Sequence, residues 1–427
     1  MSELSTSAAR GSLSPVGAGF NLVNAIIGSG ILALPYALKE AGFYFGIFVL
    51  LLVSLLTYLS LNTLVFSGRR VGLYKYELVA EAALGSAGRH LLAFALAVNS
   101  IGSCISYLII IGDTSTSVLQ HVFGASALTS RQTIITCASI AFTLPLLFFR
   151  NLEPLVRASV VSTLCLPFIV GIVAIRGPAY ITEPAPTPVF GVSPLPAFGV
   201  IAFAYSCTQT CFQSYQTLEK KTLAGWRLAA GFATTLAVVI YLAFSIISYR
   251  SFGASTQPNL LNNFAADDGL ANLARVLLAF SLTLTYPMQF YPIRDLLGEQ
   301  LGWSLESSDR SKRVKFYFLS LALFVSTLVV ALVVNDLGFV FKLIGTAASS
   351  LLVFGLPGIL YLRLASPFCA TKLGDEGVPL LAPDGREEDA RQIPEPQTTL
   401  VSIFLLALGA VVFIIGTWSS IDEFVSS

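Results

Sequence analysis

The sequence contains few charged residues, since Asp, Glu, Lys and Arg together make up 11% of its 427 positions. A typical soluble domain carries about 25%, so this composition excludes a soluble globular protein. Hydrophobic residues make up 55% of the chain, and the mean hydropathy is +0.77. Both values indicate an integral membrane protein, which we expect to be all-α because long apolar runs span a bilayer as helices.

Motifs for catalysis and metal binding are also missing. The only two histidines, His90 and His121, lie at the ends of apolar runs. The sequence has no Cys-x-x-Cys, no His-Glu-x-x-His and no Gly-x-x-x-x-Gly-Lys phosphate-binding loop. We therefore expect no enzymatic activity, no cofactor and no bound metal. Motifs for nucleic-acid binding are absent as well, so the expected surroundings are the lipid bilayer and a small-molecule substrate.

Apolar runs of about 20 residues predict eleven membrane-spanning helices. They cover residues 16–38, 43–66, 91–119, 132–149, 155–175, 195–216, 228–249, 270–293, 316–334, 337–364 and 400–418. The first run is too long for a cleaved signal peptide and is expected to be a permanent span.

Basic residues predict the orientation of these spans. With a cytoplasmic N-terminus, the cytoplasmic segments hold 19 of the 25 Lys and Arg residues. Such a bias toward one face agrees with the positive-inside rule. After an odd number of spans, the C-terminus faces outward or into a lumen.

The polar stretches divide the chain into four predicted segments. Residues 1–14 form a disordered cytoplasmic N-terminus, and residues 15–364 form a ten-helix core. Residues 365–397, rich in Pro, Gly and acidic side chains, form a cytoplasmic linker loop. Residues 398–427 contain the eleventh helix and a short exofacial or lumenal tail.

The linker contains a candidate sorting signal. Its stretch "EGVPLL" fits the acidic dileucine pattern, with Glu376, Leu380 and Leu381 as the residues an adaptor would bind. This reading predicts delivery to endosomes, lysosomes or vacuoles. The alternative is a chance match, since patterns of six residues arise often.

Two of the ten core spans are interrupted by residues that disfavour a continuous helix. The first reads "FNLVNAIIGSGILALPY", with Gly-Ser-Gly at its middle, and the sixth reads "PAFGVIAFAYSCTQTCFQSYQ", interrupted at 206–210. Corresponding breaks in two five-span halves are typical of transporters with an inverted repeat and a substrate site near the membrane midplane. The alternative is that the small residues serve close helix packing.

A helix that opens at Gly28–Gly30 leaves backbone N–H and C=O groups unpaired, which in hydrocarbon requires a polar ligand. The freed N–H groups suit a carboxylate, and the freed C=O groups suit an ammonium group or a small cation. The candidate substrate-binding residues are Gly28, Ser29, Gly30, Ile31, Tyr107, Ala204, Tyr205 and Ser206. The candidate cation-binding residues are Asn24, Ala25, Gly28, Ser281, Thr283 and Thr285. Each hydroxyl among them has the alternative of bonding to its own helix backbone, and Tyr107 that of ordinary packing.

Ionisable residues within spans are functional candidates. Asp113, in the third span, is a possible proton carrier; it could instead cap its helix or pair with a loop residue such as Arg131. Lys342 begins the tenth span and is expected to extend toward water, so we assign it no role.

Several stretches resemble the amino acid/auxin permease family, and in particular its sodium-coupled neutral amino acid transporter branch. They are "FNLVNAIIGSGILALPYALKEAGF", "ISYLIIIGDTSTSVLQ", "FTLPLLFFRNLEPLVRASVVSTL", "FAYSCTQTCFQSYQTLEK" and "LTLTYPMQFYPIRDLL". The resemblance implies the inverted five-plus-five fold of the bacterial leucine transporter with discontinuous helices 1 and 6, plus an eleventh helix. It also implies alternating access driven by Na⁺ or H⁺, with Asn24 and either Thr283 or Thr285 at a sodium site.

The sequence departs from the family at the sixth span. Many relatives carry His after the cysteine of this span, whereas here Cys207 is followed by Thr208, Gln209 and Thr210. The resemblance therefore leaves open the side-chain selectivity of this chain and any pH sensitivity linked to a histidine.

Taken together, these features predict a secondary active transporter of neutral L-amino acids in the plasma membrane or a lysosomal or vacuolar membrane. The alternative is an amino acid sensor that signals through its cytoplasmic face. The sequence leaves open which amino acid is moved and whether Na⁺ or H⁺ drives it.

Overall fold

The computed structural model describes residues 13–148, 153–303, 309–334, 336–365 and 396–426. All regular structure in these ranges is helical, apart from one isolated β-bridge between Leu13 and Leu218. The all-α prediction is therefore confirmed for the described part of the chain.

Thirteen helical segments are numbered here in chain order. They are α1 (Pro15–Ile26), α2 (Leu34–Ala41), α3 (Phe43–Val71), α4 (Tyr76–Phe123), α5 (Arg131–Leu147), α6 (Glu153–Arg176), α7 (Pro194–Ala204), α8 (Cys211–Gln216), α9 (Leu223–Phe252), α10 (Gly269–Leu301), α11 (Arg310–Val333), α12 (Leu337–Ala365) and α13 (Gln397–Ser426). Segments α5, α12 and α13 each contain π-helical turns.

Helix starts follow from local side chains that accept backbone N–H groups. Ser14 caps α1 by accepting from Gly17, and Pro15 occupies the first helical position. Thr222 caps α9 in the same way. Within α4, Gly85 has φ +67°, a conformation that favours glycine, and it divides the helix into a short and a long part.

Eight helices among the described residues are long and apolar enough to cross a membrane, counting α7 and α8 together as Pro194–Gln216. The pair α1 and α2, bent by 54°, makes a ninth. The predicted fourth and fifth spans coincide with α5 and α6, in which the described apolar segments are shorter. The count of eleven spans therefore stays a prediction.

Several predictions concern residues outside the described ranges. They include most of the N-terminal segment, residues 149–152 between the predicted fourth and fifth spans, and nearly all of the linker 365–397. The adaptor-binding candidates Glu376, Leu380 and Leu381 lie in this linker, and they too fall outside the described residues.

Helix α7 lies in the middle of the bundle, where it packs against α2, α3 and α12. Helix α10 packs along α4 and α6. Helix α9 packs against α1 and α3. Small residues allow these close approaches, as is usual inside membranes. A Cβ on Gly345 of α12 would overlap the backbone of Gly199 in α7. The two interrupted spans are thus held beside each other within a continuous helical framework.

Candidate functional site

The first span is interrupted at the Gly-Ser-Gly sequence. Helix α1 ends at Ile26, Gly28 adopts an extended conformation, and a 3₁₀ turn at Ser29–Ala33 leads into α2. The N–H of Ile31 donates to the C=O of Gly28 over a long 3.4 Å. Ile31 is therefore less available to a ligand than Ser29 and Gly30, the other two candidate donors.

The sixth span is interrupted where polar residues enter its sequence. Helix α7 ends at Ala204, a 3₁₀ turn covers Thr208–Thr210, and α8 begins at Cys211. Among the described residues, the Ser206 hydroxyl and the Gln209 side-chain oxygen are buried without a hydrogen-bond partner. Buried polar atoms are normally paired, so these two atoms are candidates for contact with a ligand.

The two interruptions face each other. A Cβ on Gly30 would lie only 2.8 Å from the Cα of Ala204, so only glycine permits this approach. Beside it, a Cβ on Gly28 would meet no atom within 4 Å. The break in the first span thus has one tightly packed glycine and one glycine that borders open space.

A polar cluster connects the first break to two other helices. The hydroxyl of Tyr107, on α4, lies next to the side chains of Ser29, Thr285 and Gln289. Ser29 and Tyr107 are both buried. The structure thus brings together two substrate candidates from distant parts of the sequence. It also adds Gln289, one of two side-chain amides in the predicted eighth span, the other being Asn272 near its start.

The three candidate hydroxyls of α10 do not share one environment, although Thr283 and Thr285 both donate to C=O groups of their own helix. Ser281 donates to the C=O of Ser162 in α6 at 3.0 Å. Thr283 lines a cavity of about 530 Å³ between α4, α5 and α10. Thr285 faces Tyr107. Residues two positions apart differ in direction by about 200° on a helix, which explains why Thr283 and Thr285 point to different neighbours.

The remaining candidates from the first and sixth spans are also dispersed. Asn24 is exposed on α1, and Ala25 is half-buried. Tyr205 is fully buried, with its ring packed edge-on against Tyr241 at 5.0 Å. The predicted cation-binding residues therefore do not form one compact cluster in this structure.

Asp113 forms an ion pair with Arg131, with 2.7 Å between Oδ1 and Nε. Both side chains are mostly buried. Of the alternatives considered for Asp113, the structure shows pairing with this arginine. The pair lies between α4 and the start of α5, outside the polar cluster around Tyr107.

Lys342 does not extend toward water, so that expectation is wrong. Its side chain is 4% exposed, and its Nζ lies 2.8 Å from Glu40 and 2.6 Å from Glu423. The ring of Tyr36 lies nearby, 5.4 Å from Nζ. The physical reason is that α12 begins against the ends of α2 and α13, whose carboxylates replace water as partners.

The chemistry available at the two breaks is that of binding. It consists of hydroxyls, side-chain amides and backbone groups at helix ends. Within the described ranges, no group of three His, Cys, Asp or Glu residues could hold a metal ion. Broken helices that face each other within a bundle of membrane-spanning helices define a transporter of the discontinuous-helix class.

Comparison with known proteins agrees with this class. The profile of the transmembrane amino acid transporter protein family matches residues 11–371. The chain therefore belongs to this family and is a multi-pass membrane protein. Its family and its fold are those of transporters rather than enzymes.

Two relatives and one solved structure illustrate the range of the similarity. The chain is 32% identical over 354 residues to the Bos taurus protein named "Putative sodium-coupled neutral amino acid transporter 11", covering 81% of this chain and 75% of that protein. It is 26% identical over 362 residues to vacuolar amino acid transporter 2 of Saccharomyces cerevisiae, with coverage of 81% and 75%. Its fold is similar to that of a Na⁺-coupled sialic acid symporter, with a TM-score of 0.53, 13% identity, and coverage of 98% and 92%.

Proposed function

We propose that this protein is a secondary active transporter that moves neutral L-amino acids by alternating access, coupled to Na⁺. The observation that carries the proposal is the juxtaposition of the two breaks, with Gly30 against Ala204 and open space beside Gly28. In this proposal the carboxylate of the substrate binds the N–H groups of Ser29 and Gly30, where the positive end of a helix dipole favours an anion.

The absence of charge at the breaks supports a neutral substrate side chain. None of the residues 26–31 and 204–210 is ionised at neutral pH. A zwitterion therefore finds its two charges matched by helix ends, whereas an additional charge would meet no counter-ion. An uncompensated charge at this depth is strongly unfavourable.

For the coupling cation, the geometry favours Thr285 over Thr283. Thr285 adjoins Tyr107 and through it Ser29, whereas Thr283 lines the cavity on another side of α10. We propose that the cation binds between Thr285 and the C=O groups near Gly28. Na⁺ is favoured because two of the similar proteins are named as sodium-coupled. Proton coupling through Asp113 is the alternative.

We further propose the inverted five-plus-five arrangement with an added eleventh helix and a cytoplasmic N-terminus. The similarity in fold to a Na⁺-coupled symporter supports it.

We propose that the protein works in the plasma membrane or in a lysosomal or vacuolar membrane. The vacuolar relative supports the second location. Adaptor binding at Leu380 and Leu381 remains a prediction.

The test is uptake of radiolabelled amino acids into proteoliposomes, under an imposed Na⁺ gradient and separately under an imposed H⁺ gradient. We expect flux of neutral amino acids under the Na⁺ gradient alone. Flux under the H⁺ gradient alone would show that the coupling ion is H⁺ and not Na⁺. Binding of amino acids without flux under either gradient would contradict transport and favour the sensor.

A matched pair of variants tests the position of the site. In Gly28→Val the new side chain enters the open space at the break, and the extended backbone of Gly28 accepts a β-branched residue. Gly171→Val, on α6, also places its Cβ where nothing lies within 4 Å. We expect Gly28→Val to lose uptake and Gly171→Val to keep it. Undiminished flux through Gly28→Val would contradict the proposed site.

A further inference from the structure

We propose that Tyr241, on α9, positions the two broken helices relative to each other and thereby sets the affinity for the substrate. Its hydroxyl lies 2.7 Å from the C=O of Ile26 and 2.8 Å from the C=O of Ala204. Ile26 is the last residue of α1, and Ala204 is the last residue of α7. One side chain thus contacts the end of each interrupted helix.

The two C=O groups have few other partners: that of Ile26 also accepts from the N–H of Gly28 at 3.0 Å, whereas that of Ala204 accepts only from Tyr241 among the described hydrogen bonds. Carbonyl groups in the last turn of a helix lack partners within the helix, and the hydrocarbon core of a membrane supplies no water. Tyr241 is fully buried, and its ring packs against Tyr205, the residue that follows α7. The hydroxyl is therefore fixed in place by packing.

A tyrosine hydroxyl carries a single proton, yet two C=O groups lie within hydrogen-bonding distance of it. The proton cannot fully satisfy both acceptors. Because the negative ends of two helix dipoles also meet there, the three oxygen atoms form an electron-rich point. Loss of the hydroxyl would leave these carbonyl groups to repel each other, which would change the position of both helix ends and of the candidate site between them. The inference rests on the proposed transport of amino acids, and it adds Tyr241 as a positioning residue.

Tyr241→Phe is the informative variant, because it keeps the packed ring and removes only the hydroxyl. Tyr249→Phe is its matched control on the same helix. Tyr249 is also buried, but its hydroxyl donates to the C=O of Pro186 at 2.7 Å, in a loop away from the two breaks. Both variants lose one tyrosine hydroxyl that contacts backbone oxygen, and only one of them loses a contact with the broken helices.

The first measurement is the concentration dependence of uptake in proteoliposomes. We expect Tyr241→Phe to raise KM about tenfold, the size implied by one lost hydrogen bond, with Vmax changed less than KM. Tyr249→Phe should leave KM unchanged. An unchanged KM in Tyr241→Phe, or a fall in Vmax alone, would overturn the positioning role.

The second measurement does not depend on transport. Backbone amide hydrogen exchange of the purified full-length protein is compared between the two variants and the wild type. We expect faster exchange in Tyr241→Phe around both breaks, residues 26–31 and 204–208, and wild-type exchange there in Tyr249→Phe. Unchanged exchange at both breaks in Tyr241→Phe would overturn the inference. If the wild type transports no amino acid, the proposed function fails, while the exchange result still decides the role of Tyr241.

Discussion

Two of the ion-paired groups that the structure describes join helices, and they differ in how far apart their members lie in the sequence. Asp113 and Arg131 are 18 residues apart, on consecutive helices. Lys342 is 302 residues from Glu40 and 81 residues from Glu423, and it joins α12 to α2 and α13. We call this second group the Lys342 cluster.

The difference between the two groups is one of sequence separation. Pairing of Asp113 with Arg131 could be proposed from the sequence, because adjacent spans bring the end of one helix near the start of the next. The partners of Lys342 could not, since they lie at the first and last spans. The Lys342 cluster also has the more buried cation, with 4% of the lysine side chain exposed against 21% of that of Arg131. We therefore expect substitutions in the cluster to have the larger effects on stability.

The largest effect is expected from Lys342→Met. It removes the only cation between Glu40 and Glu423 that the structure describes, and it leaves two carboxylates close together. Breaking a buried ion pair costs about 3–5 kcal/mol. Thermal unfolding in detergent should show a correspondingly large loss of stability.

Lys39→Met is the control for this prediction. Lys39 lies on α2 beside Glu40 and is half-buried, and its Nζ lies 3.4 Å from the C=O of Thr256 and 5.6 Å from the centre of the Tyr36 ring. We expect a loss of about 1 kcal/mol, because these contacts are weaker than a buried ion pair. Equal losses in the two variants would show that the Lys342 cluster has no special importance.

The sequence predicts much of the fold because the bilayer dictates it. A span needs about 20 apolar residues, so nine of the predicted spans coincide with helices, or a bent pair of helices, that meet this requirement. The exceptions are α5 and α6. The interruption at Gly28–Gly30 can also be predicted from the sequence, because glycines in the middle of an apolar helix disfavour its continuation.

The sequence predicts less of the candidate site, because side-chain direction depends on packing. Ser29 and Tyr107 do lie together, as expected for two substrate candidates. The resemblance implies either Thr283 or Thr285 at a sodium site, whereas the structure gives the two threonines different neighbours. Tyr241 carries no signal at all, since an aromatic residue in a membrane helix is most simply read as packing.

The second largest effect is expected from Glu40→Gln. The side chain of Glu40 is 13% exposed, and its carboxylate contacts Lys342 at 2.8 Å. Glutamine keeps the size of the side chain but loses the charge, which weakens a charge-assisted hydrogen bond by about 1.5–3 kcal/mol. The double variant Glu40→Gln/Lys342→Met completes a thermodynamic cycle. A coupling energy near zero would contradict the direct interaction.

Asp113→Asn should have an intermediate effect of about 1–2 kcal/mol, because asparagine still accepts a hydrogen bond from Arg131. The same variant distinguishes pairing from proton transport. If Asp113 serves only to pair with Arg131, the variant should still take up amino acids under a Na⁺ gradient, in proportion to the amount of folded protein. Selective loss of uptake driven by a H⁺ gradient would instead identify Asp113 as a proton carrier.

The smallest effect is expected from Glu423→Gln. Its carboxylate lies closer to Lys342 than that of Glu40, at 2.6 Å, but its side chain is 41% exposed. Exposed ion pairs contribute about 0.2–1 kcal/mol because water screens them, so exposure should outweigh distance. The unfolding measurements should therefore rank Glu423→Gln below Glu40→Gln, and added salt should reduce the effect of Glu423→Gln more. The reverse ranking would mean that the ion pair between α13 and α12 contributes more to stability than the ion pair between α2 and α12.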